Sequence, residues 1–206
     1  YSQSVESRLA QDIRKIDKIL RGSLPKYEWA VDTSTEYLEK NGWFSLSRAY
    51  IKALLCILAH QEPKSFIDNT VVRISNDWLK QANSKNYHHF FPKAYLKKKG
   101  KDEYYINHIA NITIVDDFLN KRVIRAQAPS KYMESFKKKN PRLSTCMKTH
   151  LINIDTFGVF EDDYDKFFSR RCKAFSRELQ KRIILQEIDS KETAMSAAST
   201  SQLEME

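Results

Sequence analysis

Apolar side chains along most of this chain recur at steps of three and four residues, the spacing of one face of an α-helix. The strongest example is SRAYIKALLCILAH, with Ser45 or Ser47 at its start. Its apolar face is predicted to carry Tyr50, Ala53, Leu54, Ile57 and Leu58. Further helices are predicted over about 4–21, 33–40, 130–138, 142–152 and 162–188. The helix over 33–40 is expected to be capped by Asp32 or Thr33.

The helical period is lost in three places. VVRI, from Val71, suits a short strand, and the SNDWLKQA segment that follows it suits a short capped helix. IANITIV, around Asn111, has the character of a second short strand. Residues 189–206 have no period and are predicted to be a disordered tail. The chain is therefore predicted to be mainly α-helical, with a few short strands.

Composition narrows the class of protein. The 206 residues are 41% apolar and 30% charged, which is ordinary for a globular protein with a real core. No apolar run reaches the ~18–20 residues that span a bilayer, so a membrane protein is not expected. Cys56, Cys146 and Cys172 form no C-x-x-C pair, which argues against a disulfide framework and favours a reducing, cytoplasmic setting. Because the chain begins at Tyr1 and not Met, we expect it to be part of a longer protein.

The net charge of +9 is confined to one segment. Residues 85–142 carry 14 Lys or Arg against 5 Asp or Glu, whereas the rest of the chain carries 21 of each sign. A local positive field attracts polyanions, of which nucleic acid is the first candidate. KKKGK, from Lys97 to Lys101, is by itself typical of a solvated surface. Its coincidence with the histidines and asparagines of the same segment favours nucleic acid.

The same segment carries residues suited to phosphodiester hydrolysis, which needs an activated water and a cation beside the leaving oxygen. Adjacent residues at the end of a strand point to opposite sides, so one of His88 and His89 can face a metal and the other a phosphate. Asn111 has an amide able to bond to backbone and fix the loop that carries the base. Asn120 lies one turn into a helix that Asp116 is expected to cap.

Three sequence boxes, HHFFP, IANIT and DDFLNKR, resemble the His, Asn and Asn/His boxes of HNH, or ββα-metal, nucleases. The nine residues from Asn111 to Asn120 match the spacing of HNH domains whose third ligand is asparagine. Over residues 86–133, including APSKYM, the chain resembles more narrowly the C-terminal nuclease domain of GmrSD-type, modification-dependent restriction enzymes. The resemblance implies a helical domain with a small embedded ββα-metal motif.

The resemblance also implies a role for each residue that matches the motif. His89 matches the general base, Asn111 the residue that orients its loop, and His88 and Asn120 the ligands of one Mg²⁺ or Mn²⁺ ion. Because imidazole suits softer ions better than Mg²⁺, His88 leaves the preferred metal open. The expected DNA contacts are Lys93, Lys121, Arg122, Arg125 and Lys131.

The implied organisation has four parts. Residues 1–85 form a helical support, 86–123 the ββα-metal core, 124–188 the C-terminal helices and 189–206 the tail. The implied substrate is DNA, including base-modified phage DNA, in bacterial defence. An N-terminal nucleotide-binding domain is expected to belong to the same protein. Two alternatives stay open, namely a nucleic-acid-binding module with a decayed site and a helical protein-interaction domain.

Overall fold

A computed structural model describes residues 5–25, 31–74, 87–115, 124 and 126–183. This part of the chain is mainly helical, as the apolar periodicity predicts, and it contains a small two-stranded sheet. The chain divides into two compact units, one comprising Tyr1–Asp32 with Gln180–Glu206 and the other Thr33–Leu179. No helix of the described residues is long and apolar enough to cross a bilayer.

The first unit contains α1, Val5–Leu20, which confirms the helix predicted over 4–21. Its apolar residues recur at helical spacing, yet they stay in contact with solvent. The exposed fractions are 55% for Leu9, 64% for Ile13, 54% for Ile16 and 80% for Leu20. The first helix is thus strongly amphipathic, with an open apolar face.

The second unit holds the remaining elements, except for the last three residues of α8, which belong to the first. Its helices are α2 (Thr35–Asn41), α3 (Ala49–His60), α4 (Lys93–Lys98), α5 (Glu103–Ile106), α6 (Pro129–Lys139), α7 (Leu143–Lys148) and α8 (Tyr164–Arg182). Its strands are β1 (Tyr87–His89) and β2 (Ile112–Ile114), and a 3₁₀ turn spans Ile109–Asn111. The helices predicted from the apolar pattern are confirmed, whereas α4 and α5 were not predicted.

Two helix boundaries differ from the prediction. The cap of α2 is Ser34, whose hydroxyl accepts the Tyr37 N–H at 3.1 Å, so the expected cap at Asp32 or Thr33 was wrong. The predicted helix over 142–152 ends early, because Leu151 takes a positive φ of 56° and the Ile152 N–H bonds back to the Met147 carbonyl. A left-handed residue of this kind closes a helix by satisfying its last carbonyls.

Of three further predicted elements, one is wrong and two lie outside the described residues. Val71 forms a single isolated bridge to Lys64, so the strand predicted at VVRI is absent. The short helix predicted at SNDWLKQA falls on residues 75–82, outside the described residues. The tail predicted over 189–206 also lies outside them.

The sheet pairs β1 and β2 in antiparallel register, with His88 opposite Thr113 and His89 opposite Ile112. Asn111 was expected on the second strand, but it lies in the 3₁₀ turn just before β2. The turn forms there because the His108 ring nitrogen Nδ1 accepts the Ala110 N–H at 3.0 Å, which caps it. The helix expected over 116–123 falls outside the described residues.

Helix α8 joins the sheet to the core. Phe90, which follows β1, stacks on Phe167 of α8 with ring centroids 5.0 Å apart and an interplanar angle of 7°. Arg171, fully buried, donates to the Ala110 carbonyl and to the His150 carbonyl, both at 3.0 Å. Along α8 an apolar stripe recurs at steps of four and three residues, and it is buried at Tyr164, Phe168, Cys172, Phe175 and Leu179. The ends of both strands are therefore fixed from the C-terminal helix.

Candidate functional site

The side chain of Asn111 forms hydrogen bonds to two backbone segments, the loop after β1 and the end of α5. Its Oδ1 accepts the Phe91 N–H at 2.8 Å, and its Nδ2 donates to the carbonyls of Phe91 and Ile106, each at 3.0 Å. Its own carbonyl accepts the Phe90 N–H at 2.8 Å, and the side chain is fully buried. The amide therefore holds the backbone immediately after His89, the loop that the motif assigns to it.

His89 stands at the end of β1, partly exposed, with one ring nitrogen engaged. Its Nε2 lies 3.2 Å from the Asn107 Oδ1. The Asn107 Nδ2 donates to the Glu103 carboxylate at 2.6 Å, which fixes the amide so that its oxygen faces the ring. Because an amide oxygen only accepts, this network assigns the proton to Nε2 and leaves Nδ1 of His89 with its lone pair.

Glu103 is itself held by a cation. The Lys97 Nζ lies 3.2 Å from the Glu103 Oε2, and Asn107 and Lys97 together lower the pKa of this carboxyl. Glu103 and Asn107 were not singled out from the sequence. The sequence spacing could have identified them, since Glu103, Asn107 and Asn111 follow one another at steps of four residues. The segment that precedes β2 thus supplies both the support of His89 and the clamp on its loop.

The ring of His89 is neutral at physiological pH. Burial, helped by the positive charge of Lys93, lowers its pKa from 6.5 to about 4, against the opposing effects of Asn107 and Glu103. A neutral imidazole with a free Nδ1 accepts a proton. A bound phosphate would bring negative charge beside the ring and raise this pKa toward the range in which a general base works best.

His88 faces the other side of the sheet. It is only 3% exposed and lies opposite Thr113, whose hydroxyl is 2.7 Å from the His150 Nδ1. The expected metal partner, Asn120, lies outside the described residues, as do Lys121, Arg122 and Arg125. In the part of the chain that the structure describes, no group of three or more His, Cys, Asp or Glu is placed to hold a metal ion.

The chain is similar to a protein of Methanocaldococcus jannaschii described as uncharacterized. The two are 25% identical over 212 residues, which cover 91% of this chain and 34% of the relative. The chain therefore spans about a third of the length of the relative. No family model matches the chain. No solved structure matches it.

Lys93 and Lys131, the predicted DNA contacts that the structure describes, are both exposed. Lys93 opens α4 and lies close enough to His89 to lower its pKa by charge, although burial has the larger effect. Lys131, on α6, lines an open cleft together with Lys98 of α4 and Lys99, which follows that helix. The two predicted contacts thus lie at different places, one beside the histidine and one along a basic cleft.

The other buried histidines of the described residues make structural contacts. His150 lies between the Thr113 hydroxyl and the Lys64 carbonyl, which is 2.7 Å from its Nε2. His108 bonds through Nε2 to the Leu38 carbonyl at 3.0 Å. Its ring fills the space beside Gly42, where an added Cβ would lie 1.9 Å from Nε2.

Proposed function

We propose that this chain is a metal-dependent DNA endonuclease of the HNH type. The observation that carries the proposal is the arrangement around His89. A partly exposed imidazole has its Nε2 engaged by Asn107, an arrangement that leaves the lone pair on Nδ1, and the loop after it is held by two side-chain hydrogen bonds between Asn111 and Phe91. A histidine held in this way has the geometry that a general base for water requires.

In this proposal the reaction begins at Nδ1 of His89, which takes a proton from the attacking water. Asn107 holds the proton on Nε2 and aligns the ring, while Glu103 prevents the amide from turning over. Lys93 places a positive charge near the phosphate. β1, β2 and the helix expected at 116–123 would then form the ββα motif.

The metal would be held by His88 and Asn120, and it would stabilise the charge of the leaving oxygen. Of this pair only His88 belongs to the described residues, and its imidazole suits softer transition ions better than Mg²⁺. The ring is 3% exposed and lies on the face of the sheet opposite His89, a position that does not fit an ion bound beside a phosphate at His89, so these two ligands are proposed on the sequence resemblance alone. The further proposal of a restriction role against base-modified phage DNA rests on the sequence resemblance. So does the proposal of a nucleotide-binding domain elsewhere in a longer protein, and the length of the archaeal relative is compatible with it.

The test is a plasmid-nicking assay in Mg²⁺, Mn²⁺ or EDTA. His89→Ala should lower the rate by roughly 10²–10⁴-fold, the usual contribution of a general base. The control is His60→Ala at an exposed position of α3, which should cut at the rate of the unchanged protein. DNA binding in EDTA should be the same for all three proteins. Undiminished nicking by His89→Ala would refute the assignment of the base.

A second candidate is a nucleic-acid-binding module without catalysis. It is favoured by the basic segment over 85–142 and by the histidine at position 88, where HNH enzymes often have Asp. This candidate predicts salt-sensitive DNA binding and no nicking with any metal.

A helical interaction domain is the third class, and the exposed apolar face of α1 favours it. Apolar faces of this kind often mark protein–protein contacts. This candidate predicts neither nicking nor appreciable affinity for DNA.

A further inference from the structure

The lysines around α4 fall into two groups. Lys97 pairs with Glu103 at 3.2 Å, and Lys101 pairs with Asp165 at 2.7 Å. Lys98 and Lys99 are exposed, and within the described ranges no carboxylate pairs with either of them. The charges of Lys97 and Lys101 are therefore neutralised within the protein, whereas those of Lys98 and Lys99 are exposed to solvent and not paired with a described carboxylate.

These two lysines line an open cleft of about 710 Å³. Lys131 of α6 and residues 126–128 also line it, and its described lining contains no carboxylate. Tyr95 adds an aromatic ring, with the Lys99 Nζ 5.8 Å from its centroid. A cleft lined by charges of one sign concentrates the opposite charge from solution.

A carboxylate outside the lining acts near the cleft, because the charge of Asp162 contributes, after burial, to raising the pKa of Tyr95. The Asp162 Oδ1 accepts the Ser130 N–H at 2.8 Å, and its Oδ2 accepts the Ser130 hydroxyl at 2.7 Å. Both carboxylate oxygens are thereby engaged at the first turn of α6.

Helix α4 connects the candidate site with the cleft. The helix begins at Lys93, beside His89, and ends at Lys98, in the cleft. The five residue steps from Lys93 to Lys98 rise by about 7.5 Å, which corresponds to about two phosphate steps at about 3.4 Å along one DNA strand. A strand whose reacting phosphate lies at His89 thus reaches the three lysines within about three nucleotides.

We propose that the cleft of Lys98, Lys99 and Lys131 binds the phosphate backbone of the DNA strand that flanks the bond cut at His89. This inference rests on the proposed function and adds to it the place where the substrate is held. The lysines neutralise phosphates and position the strand, and they take no part in proton transfer. Their removal therefore weakens DNA binding in proportion to the charge lost.

The experiment measures binding of a fluorescent duplex of about 25 base pairs in EDTA, at KCl concentrations from about 50 to 300 mM. The variant carries Lys98→Gln, Lys99→Gln and Lys131→Gln. The control removes the same charge from exposed positions elsewhere, and its substitutions are Lys148→Gln, Lys166→Gln and Lys173→Gln. Circular dichroism confirms that both proteins fold.

Three phosphate contacts account for about 2.7 in the slope of log K against log [KCl]. We expect the cleft variant to lose most of this slope and the control variant to lose less than about one. Equal slopes for the two variants would overturn the proposal, since net charge alone would then explain the binding.

Competition with ATP, also in EDTA, distinguishes a second source of phosphate. Displacement of the duplex by micromolar ATP would assign the cleft to a free nucleotide and overturn the DNA assignment. The binding assay involves no cleavage, so its outcome is separate from that of the nicking assay. If the protein never nicks DNA but the cleft variant alone loses slope, the proposal of a nuclease fails and the proposal that the cleft binds DNA stands.

Discussion

His108 and His150 should make the folded chain sensitive to mild acid. Burial lowers the pKa of both rings from 6.5 to about 4, although each ring also bonds to a backbone carbonyl that opposes the effect. Between these pH values the unfolded chain binds a proton at each ring and the folded chain does not. The stability is therefore complete above pH 6.5 and is lost as the pH falls toward 4.

The magnitude follows from the difference in pKa. A lowering of about 2.5 corresponds to about 3 kcal/mol for each ring when protonation is complete. About 2 kcal/mol of this falls between about pH 7.5 and pH 5. The two rings together should therefore remove about 4 kcal/mol, a large part of the 5–15 kcal/mol that stabilises a typical domain.

Urea unfolding at several pH values measures this loss. His108→Gln and His150→Gln should each reduce the pH dependence of the free energy of unfolding by about 2 kcal/mol over the same interval. His60→Gln, on the exposed end of α3, is the control and should leave the dependence unchanged. An NMR titration of the ring protons in the unchanged protein checks the same point if a variant does not fold. Rings that titrate near 6.5 in the folded protein would refute the reasoning.

Three further predictions concern single contacts. Asn111→Ala removes three buried hydrogen bonds and should cost about 3–4 kcal/mol in urea unfolding, with DNA cleavage falling more than DNA binding. Gly42→Ala places a Cβ against His108 and should cost at least about 2 kcal/mol. Combining it with His108→Ala should cost less than the sum of the two single changes, which a double-mutant cycle measures. Arg171→Met removes the donors of two buried carbonyls and should lower the free energy of unfolding, measured with urea, by about 2–4 kcal/mol.

The long helices were predictable because their apolar residues recur with the helical period. The stripe on α8 is buried from Tyr164 to Leu179, as its spacing predicts. Helices α4 and α5 were not predicted. They are six and four residues long, and the KKKGKDEYY sequence around them has no apolar period. Elements this short are determined by their caps, such as the Asp102 side chain that accepts the Tyr104 N–H at 2.7 Å.

Within the candidate site, the sequence boxes identified the histidine and the asparagine but not their supports. Asn107 and Glu103 belong to the site through side-chain hydrogen bonds that span 18 and 4 residues. The role of Asn107 depends on the antiparallel pairing of β1 with β2, which returns the chain beside His89. A linear pattern does not contain such a contact. The exact place of Asn111 was likewise set by the His108 cap and not by strand propensity.

The dependence of the sheet on α8 also sets the order in which the site matures during synthesis. His89 and Asn111 leave the ribosome well before Phe167, which stacks on Phe90, and Arg171, which holds the Ala110 carbonyl. A nascent chain that ends before Tyr164 has all the residues around His89 that the structure describes and lacks the groups that fix their backbone. The backbone on both sides of His89 therefore gains these two supports only after α8 has been made, and the activity that we propose for the site would depend on that step.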